Sequence, residues 1–183
     1  MNKKFNSEEV RFFNFISYCI KKYHRYNLRK LIKKYTKERI INSPVLDVGC
    51  GYRSNYNEVK LQPYHTLDLF EDLNPTFIAD VTNMDCVKDS SYETVIMTEV
   101  LEHIFDYDSA LSECYRVLKR GGRLITTTPF WVGIHEKKYQ KDYWRFTPKT
   151  LNKIFKRTGF KNISIETRGR KLKPFVISVI GTK

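Results

Sequence analysis

The stretch Val45-Leu46-Asp47-Val48-Gly49-Cys50-Gly51 decides the fold of this chain. An apolar run of strand length carries an acidic residue near its end and is followed by Gly-x-Gly, which lets the chain turn sharply at the carboxyl end of a strand. A second acid, Asp68, stands 21 residues after Asp47 at the end of the next predicted strand, where a carboxylate can accept from both hydroxyls of a ribose. The order of strand, acid, glycines and second acid therefore predicts a nucleoside-binding site.

The residues around the glycine turn favour one kind of nucleoside. A dinucleotide fingerprint needs Gly or Ala three positions after Gly51, where this chain has Ser54, and a nucleotide phosphate site needs a Lys-Ser/Thr pair, which is absent. The acids that follow would instead repel phosphates and suit a ligand with a sulfonium and an ammonium group. They are Asp47, Asp68, Glu71, Asp72, Asp80 and Asp85. This pattern predicts S-adenosylmethionine as the cofactor.

Short apolar runs alternate with helical patterns from residue 43 onward, which predicts an α/β fold with a doubly wound, mostly parallel, Rossmann-like sheet. The predicted strands are Pro44–Val48, Tyr64–Leu67, Thr76–Ala79, Thr94–Thr98 and Gly122–Thr127. Helices are predicted at Ser109–Lys119, closed by Gly121-Gly122, and at Pro148–Thr158. The last two runs, Asn162–Thr167 and Pro174–Ile180, have no helix between them and should form an antiparallel pair at the sheet edge.

The length of 183 residues predicts one domain, with residues 1–42 as a helical extension and residues 43–183 as the catalytic core. Residues 7–40 carry apolar side chains at helical spacing, as one long helix or two. No segment is apolar enough to cross a bilayer and no signal peptide is apparent, so we expect a cytoplasmic protein. The four cysteines are scattered singly, which favours neither disulfides nor a metal site.

Charge is distributed unevenly along the chain. The net charge is +13, made up of +9 for residues 1–42, −10 for residues 43–110 and +14 for residues 111–183. Basic flanks of this kind attract an anionic partner such as a nucleic acid, a phosphorylated metabolite or a membrane surface, and an ordinary solvated lysine-rich surface gives the same pattern.

The motifs together resemble the class I S-adenosylmethionine-dependent methyltransferases, in particular the small-molecule branch with a VLEH helix and an RVLKPGG turn. The resemblance extends from Pro44 to Ile165, with Arg120 in place of the usual proline and no third glycine after Gly51. Its motifs are VLDVGCG (45–51), TLDLF (66–70), ADVTNMD (79–85), ETVIMTEVLEHI (93–104), ALSECYRVLKRGGRLITTTP (110–129) and HEKKYQKDYWRFTP (135–148).

The resemblance implies a set of cofactor-binding residues. It implies that Asp47, Gly49 and Gly51 line the methionine moiety, with Cys50 between the glycines, and that Asp68 holds the ribose beside Leu69. It further implies that Asp80 and Val81 meet the adenine and that Thr98 and Glu99 close the floor of the pocket.

The segment after the fifth strand, residues 130–146, is expected to face the methyl acceptor, because ligands lie outside the carboxyl ends of the strands. We predict that Trp131, Tyr143 and Trp144 hold a planar or sugar acceptor and that Arg145 neutralises its negative charge. A self-packed lid that excludes water is the alternative.

Three residues are candidates for catalysis. His135 is the best-placed general base for a hydroxyl acceptor, and His103 and Asp142 are further candidates.

The leading hypothesis is a methyltransferase for a small polar or anionic metabolite, with sugars and glycan precursors as possible acceptors. An RNA methyltransferase that uses the basic flanks is the alternative, although nucleic acid is not favoured because no motif for base amines or cytosine carbon is present. A non-catalytic cofactor-binding partner subunit is a third reading, and the oligomeric state stays open.

Overall fold

The computed structural model describes residues 7–52, 54–134, 141–170 and 173–183, with side chains from residue 22 onward. The helices are α1 (Ser7–Lys37), α2 (Tyr56–Val59), α3 (Tyr107–Val117) and α4 (Pro148–Thr158). The strands are β1 (Val45–Val48), β2 (Tyr64–Asp68), β3 (Phe77–Ile78), β4 (Tyr92–Thr98), β5 (Leu118–Pro129), β6 (Lys161–Arg170) and β7 (Lys173–Thr182). Two single 3-10 turns, Glu71–Leu73 and Leu101–His103, follow β2 and β4.

The strands form one sheet in the order β3-β2-β1-β4-β5-β7-β6. The first five strands pair in parallel, and β7 runs antiparallel to both β5 and β6. This confirms the predicted Rossmann-like α/β fold with an antiparallel carboxyl-terminal pair. The direction of winding reverses between β1 and β4, and in sheets of this kind the ligand crevice opens beyond the carboxyl ends of the strands at that reversal.

Both faces of the sheet are covered. On one face, α1 packs Leu31, Ile32 and Tyr35 against apolar side chains of β1, β4 and β5. On the other face, α3 and α4 contribute Leu111, Phe155 and their apolar neighbours to the larger core. The Tyr35 hydroxyl also donates to Ser178 Oγ at 3.1 Å and fixes α1 to β7. Burial on both sides explains why β1 is apolar at nearly every position.

The boundary between α3 and β5 differs from the sequence prediction. The helix begins at Tyr107, where the Asp106 side chain accepts from the Ser109 N–H, and it ends at Val117 instead of Lys119. Leu118 already pairs with Tyr92 in the parallel ladder, so the predicted glycine stop lies inside the strand. A Cβ at Gly122 would lie 2.9–3.1 Å from three backbone oxygens, so glycine serves close backbone approach there and not helix termination.

Other boundaries shift by a few residues. The first helix ends at Lys37, before the predicted residue 40, while β6 and β7 are longer at both ends than predicted. Among the described residues, no helix combines the length and the apolar character that a bilayer span requires.

Candidate functional site

A cavity of about 520 Å³ opens at the carboxyl edge of the sheet, beside the ends of β1, β2 and β4. It is where the winding reversal predicts a ligand crevice. Its lining includes most of the predicted cofactor residues, namely Gly49, Gly51, Asp68, Leu69, Asp80, Val81 and Glu99. The predicted residues Asp47, Cys50 and Thr98 do not contribute to the lining.

Asp47 lies beneath the glycine turn and is fully buried. Its carboxylate accepts from the Asn55 N–H at 2.8 Å, the Asn55 amide at 2.9 Å and the Tyr64 hydroxyl at 2.7 Å. Burial raises the pKa of Asp47, and these hydrogen bonds oppose that shift. The Asn55 amide also lies 3.1 Å from Thr98 Oγ1. Asp47 and Thr98 are therefore tied to the loop that forms the cavity wall.

The glycine turn has the conformation that its sequence requires. Gly49 and Gly51 have φ values of +65° and +53°, which side chains rarely adopt. A Cβ on Gly49 would approach Val100 Cγ2 to 2.4 Å, whereas nothing lies within 4 Å of a Cβ on Gly51. The turn thus packs tightly against the loop after β4 at Gly49 and leaves open space at Gly51. Cys50 is buried behind the turn, and burial raises the pKa of its thiol to about 11.

Asp68 stands at the end of β2, next to the glycine turn. Its carboxylate accepts from the Gly51 N–H at 2.9 Å and the Phe70 N–H at 3.3 Å. The following side chains Leu69 and Phe70 line the cavity and are 54% and 37% exposed, so they offer an apolar surface for a planar ligand to cover. A carboxylate oxygen can accept two hydrogen bonds, which leaves Asp68 capacity for a ligand hydroxyl.

The loop after β3 forms the far wall of the cavity. Asp80 Oδ1 accepts from the Thr82 N–H and hydroxyl, both at 2.8 Å, and this caps the turn that carries buried Val81. Asp72 lines the same part of the cavity. The charged side chains among the described lining residues are all acidic, so the cavity suits hydroxyl groups and positive charge better than phosphate.

Glu99 follows β4 and has a positive φ of 56°. Its carboxylate accepts from the Thr127 hydroxyl at 2.9 Å, and its Oε2 lies 2.6 Å from Nε2 of His24 on α1. Burial disfavours the charged form of His24, but the hydrogen bond and the charge of Glu99 outweigh it and raise the pKa of the imidazole. The amino-terminal helix therefore contributes a hydrogen-bond partner to a cavity-lining acid.

His103 and Glu102 lie on the 3-10 turn after β4. His103 lines the cavity, and its Nδ1 lies 2.5 Å from the Lys141 carbonyl, so Nδ1 carries the hydrogen. Its Nε2 faces Glu102 Oε1 at 3.6 Å. Glu102 is fully buried, and neither of its carboxyl oxygens has a hydrogen-bond partner among the described residues. Burial and the charge of Glu99 raise the pKa of Glu102 well above its ordinary range.

Arg145 forms a bidentate ion pair with Asp142. Its Nη2 lies 2.6 Å from Asp142 Oδ2, and it also donates to the carbonyl of Val132 at 3.3 Å. Asp142 is therefore an internal counter-ion of Arg145, and the pairing of Arg145 with an anionic acceptor stays a prediction.

The aromatic residues of the acceptor segment separate into two groups. Trp144 is partly buried and packs against the core, and its Nε1 donates to the Ile104 carbonyl at 3.0 Å. The Tyr143 N–H donates to the Glu102 carbonyl at 2.8 Å. The segment is thus fastened to the turn after β4. Trp131 is 49% exposed, with Lys173 Nζ 4.7 Å from its ring centre. His135 lies outside the described residues.

Sequence reasoning missed four residues that shape this site: His24, Asn55, Tyr64 and Glu102. Asn55 and Tyr64 lie eight and 17 residues from Asp47, and their pairing with it depends on how β2 docks beside β1. His24 is 75 residues from Glu99. A histidine on the predicted amino-terminal helix was the signal available for it.

A family model of the methyltransferase domain matches residues 20–165. The chain belongs to the methyltransferase domain family. This membership confirms the family predicted from the sequence and S-adenosylmethionine as its cofactor. A probable S-adenosylmethionine-dependent methyltransferase of Mycolicibacterium smegmatis is 42% identical over 41 residues, a match that spans 22% of this chain and only 16% of that protein.

Solved structures share the fold of this chain at low sequence identity. An S-adenosylmethionine-dependent methyltransferase from Archaeoglobus fulgidus is 18% identical with a TM-score of 0.66, and the match covers 85% of this chain and 94% of that one. The 1,6-didemethyltoxoflavin-N1-methyltransferase of Burkholderia thailandensis, solved with its substrate and S-adenosylhomocysteine, is 14% identical with a TM-score of 0.67, covering 100% and 93%.

The residues of the cavity fit S-adenosylmethionine. Exposed apolar side chains flank the end of β2, acidic groups accept hydroxyl and ammonium hydrogens, and Gly51 leaves open space where a side chain would stand. These properties match a planar base, a ribose and a positively charged amino-acid moiety.

Proposed function

We propose that this protein methylates a small polar metabolite, with sugars and other glycan precursors as the first acceptors to test. The observation that carries the proposal is the acidic cavity at the carboxyl edge of the sheet, whose lining residue His103 contacts the Lys141 carbonyl of the acceptor segment. Because Arg145 is neutralised by Asp142, a polar uncharged acceptor is better supported than an anionic one. The exposed ring of Trp131 offers a flat surface on which a sugar can stack.

In this proposal the cofactor lies along the cavity in a single orientation. Asp68 accepts from the ribose hydroxyls, while Asp80 and Val81 border the adenine. The methionine moiety then extends past Gly49 toward Glu99, at the end of β4. S-adenosylmethionine supplies an electrophilic methyl group on a positively charged sulfur. The chain aligns the acceptor with the methyl group, and this alignment can supply much of the lowering of the activation barrier in a transfer of this kind.

A hydroxyl acceptor must also lose a proton. His103 lines the cavity and carries its hydrogen on Nδ1, so Nε2 holds the lone pair that a base requires when the ring is neutral. His135 remains a second candidate from the sequence. We expect His135→Ala to leave cofactor affinity nearly unchanged while slowing turnover, and an unchanged rate with the true acceptor would remove it from this role.

Label transfer from methyl-tritiated S-adenosylmethionine tests the proposed function. The acceptors would be a panel of nucleotide sugars and free sugars, with structured and single-stranded RNA in parallel. Transfer to a sugar supports the proposal, and transfer to RNA alone contradicts it. Cofactor binding without transfer to any acceptor, unless a second protein is added, would favour a non-catalytic partner subunit.

RNA is the second candidate because α1 presents a basic surface. Its apolar face is buried against the sheet, and the exposed face carries Lys22, Arg25, Lys30, Lys33 and Lys37 together with Tyr23 and Tyr26. Basic and aromatic side chains of this kind bind phosphates and stack on bases. A salt-sensitive shift of RNA at physiological ionic strength would support this candidate.

A further inference from the structure

The carboxylate of Glu99 is shared between α1 and the cavity. One of its oxygens lies 2.6 Å from His24 Nε2, and the other accepts from Thr127 at 2.9 Å, so the group is fixed in place. At the same time Glu99 lines the cavity where β4 ends. In the cofactor orientation given above, this end of the cavity would receive the sulfonium, so the sulfonium and the His24 ring would share one carboxylate.

We propose that the sulfonium of S-adenosylmethionine and the imidazolium of His24 compete for Glu99, so that cofactor binding displaces a proton from His24 and methyl transfer allows one to return. The proposal rests on the proposed function, because it requires S-adenosylmethionine in this cavity. It adds His24, a residue of the amino-terminal helix, to the reaction site.

The proton that moves is the one on His24 Nδ1. Nε2 keeps the hydrogen that it donates to Glu99. Nδ1 is buried and has no hydrogen-bond partner among the described residues. A buried N–H without an acceptor is costly, so Nδ1 gives up its proton most readily when a second positive charge arrives. Neutral His24 then has a lone pair on Nδ1 while the ring stays held by Glu99.

The charges balance over the reaction. A new bond forms between the acceptor atom and the methyl carbon, the carbon–sulfur bond breaks, and its electron pair stays on sulfur. The acceptor loses one proton, and the sulfonium charge disappears at the same moment. His24 then faces Glu99 without a competing cation, so its proton affinity rises when the acceptor's proton must be taken up.

Several other charged groups lie near the pair or neighbour His24 in sequence. Glu102 is disfavoured in its charged form by burial and by Glu99, and Arg145 is bound to Asp142. On α1, Lys22 and Arg25 neighbour His24 in sequence and are exposed. Among the described residues, Glu99 is the charged group in contact with the His24 ring.

Calorimetry with the cofactor and its demethylated product tests the competition without an acceptor. Titrations of S-adenosylmethionine and S-adenosylhomocysteine at about pH 7, in two buffers of different ionisation enthalpy, give the protons released by each ligand. The protonation of each free ligand's amino group is titrated separately and subtracted, because the sulfonium lowers the proton affinity of the amino group in S-adenosylmethionine. We expect the binding of S-adenosylmethionine to release up to about one proton more than that of S-adenosylhomocysteine. The Kd of S-adenosylmethionine divided by that of S-adenosylhomocysteine should therefore fall several-fold from about pH 6 to pH 8.

Variants assign the proton to a residue. His24→Gln should remove the difference between the two ligands, while His65→Gln, whose ring contacts Tyr92, should keep it. Equal proton release by both ligands in the wild type, or a difference that survives His24→Gln and disappears in His103→Gln, would overturn the proposal. Failure of both ligands to bind the wild type would instead contradict the proposed function.

A second readout covers the case in which His24→Gln does not fold. The ring resonances of the wild-type histidines can be titrated by NMR in each complex. The His24 resonance is identified by its change in the Glu99→Gln variant. The pKa of His24 should be lower with S-adenosylmethionine bound than with S-adenosylhomocysteine, and equal values would overturn the competition.

Discussion

Asn55 donates both its backbone N–H and its side-chain amide to the buried carboxylate of Asp47, at 2.8 and 2.9 Å. The same amide reaches Thr98 at the end of β4. One residue therefore joins the end of β1, the end of β4 and the loop that carries Gly49 and Gly51. Asp47, which the family resemblance implies as a cofactor-binding residue, also stabilises the wall of the cavity.

Removal of the Asn55 amide should loosen this wall. We expect Asn55→Ala to lower the free energy of unfolding by about 1–3 kcal/mol, because a buried carboxylate oxygen loses its donor. Urea unfolding followed by circular dichroism measures the change. Asn57→Ala, on the exposed side of α2, is the matched control and should be nearly neutral. Equal stability of the two variants would show that the Asn55 amide is not needed.

The two glycines of the turn should respond differently to alanine. Both have positive φ, which costs alanine about 1 kcal/mol, but only at Gly49 would the new Cβ also collide with Val100. Gly49→Ala should therefore destabilise the protein more than Gly51→Ala in thermal unfolding. Equal losses of stability in the two variants would mean that the Val100 side chain moves aside without lowering the stability further.

Glu102 should make stability depend on pH. Burial raises the pKa of Glu102 in the folded state. Its contribution to stability is therefore fully present at pH values below the ordinary pKa of a glutamate, and it is lost as the pH rises toward the folded-state pKa. We expect Glu102→Gln to gain stability over the wild type by up to about 1.4 kcal/mol per pH unit across that interval. Urea unfolding at a series of pH values measures the gain. Exposed Glu38→Gln should show no such trend, and a Glu102→Gln gain that is independent of pH would contradict the assignment.

The ion pair of Arg145 and Asp142 should contribute more than a surface pair. The Asp142 side chain is fully buried, so Arg145→Ala should cost about 3–5 kcal/mol by leaving an unpaired buried charge. The pair of Arg157 and Asp108 is more than half exposed, so Arg157→Ala should cost clearly less stability than Arg145→Ala. Urea unfolding of both variants compares the pairs. A similar small loss for each would mean that Arg145 does not hold the acceptor segment in place.

The sequence was most informative where local chemistry determines structure. The Gly-x-Gly turn, the acid at the end of β2 and the bounds of α4 follow from backbone conformation, strand length and the proline and glycine at the helix ends. These features depend on residues close together in the chain. Together with the alternation of strands and helices they predicted the sheet, whereas the family was predicted from the resemblance of the wider set of motifs.

Contacts between distant segments explain what the sequence did not reveal. The register that pairs Leu118 with Tyr92 ends α3 early, and the docking of α1 brings His24 to Glu99. Arg145 illustrates a different case, since Asp142 stands three residues before it and their pairing could have been considered from spacing alone.

Calorimetric titration of S-adenosylhomocysteine against the wild type, Asp68→Asn and Asp85→Asn tests the central claim, that the cavity beside Asp68 holds the cofactor. Asparagine keeps an acceptor for the Gly51 N–H but loses capacity for the ribose hydroxyls, so Asp68→Asn should bind at least about tenfold more weakly, or about 1.4 kcal/mol. Exposed Asp85 lies outside the cavity lining, and Asp85→Asn should bind like the wild type. A wild type that does not bind, or an Asp68→Asn variant with wild-type affinity, would contradict the account.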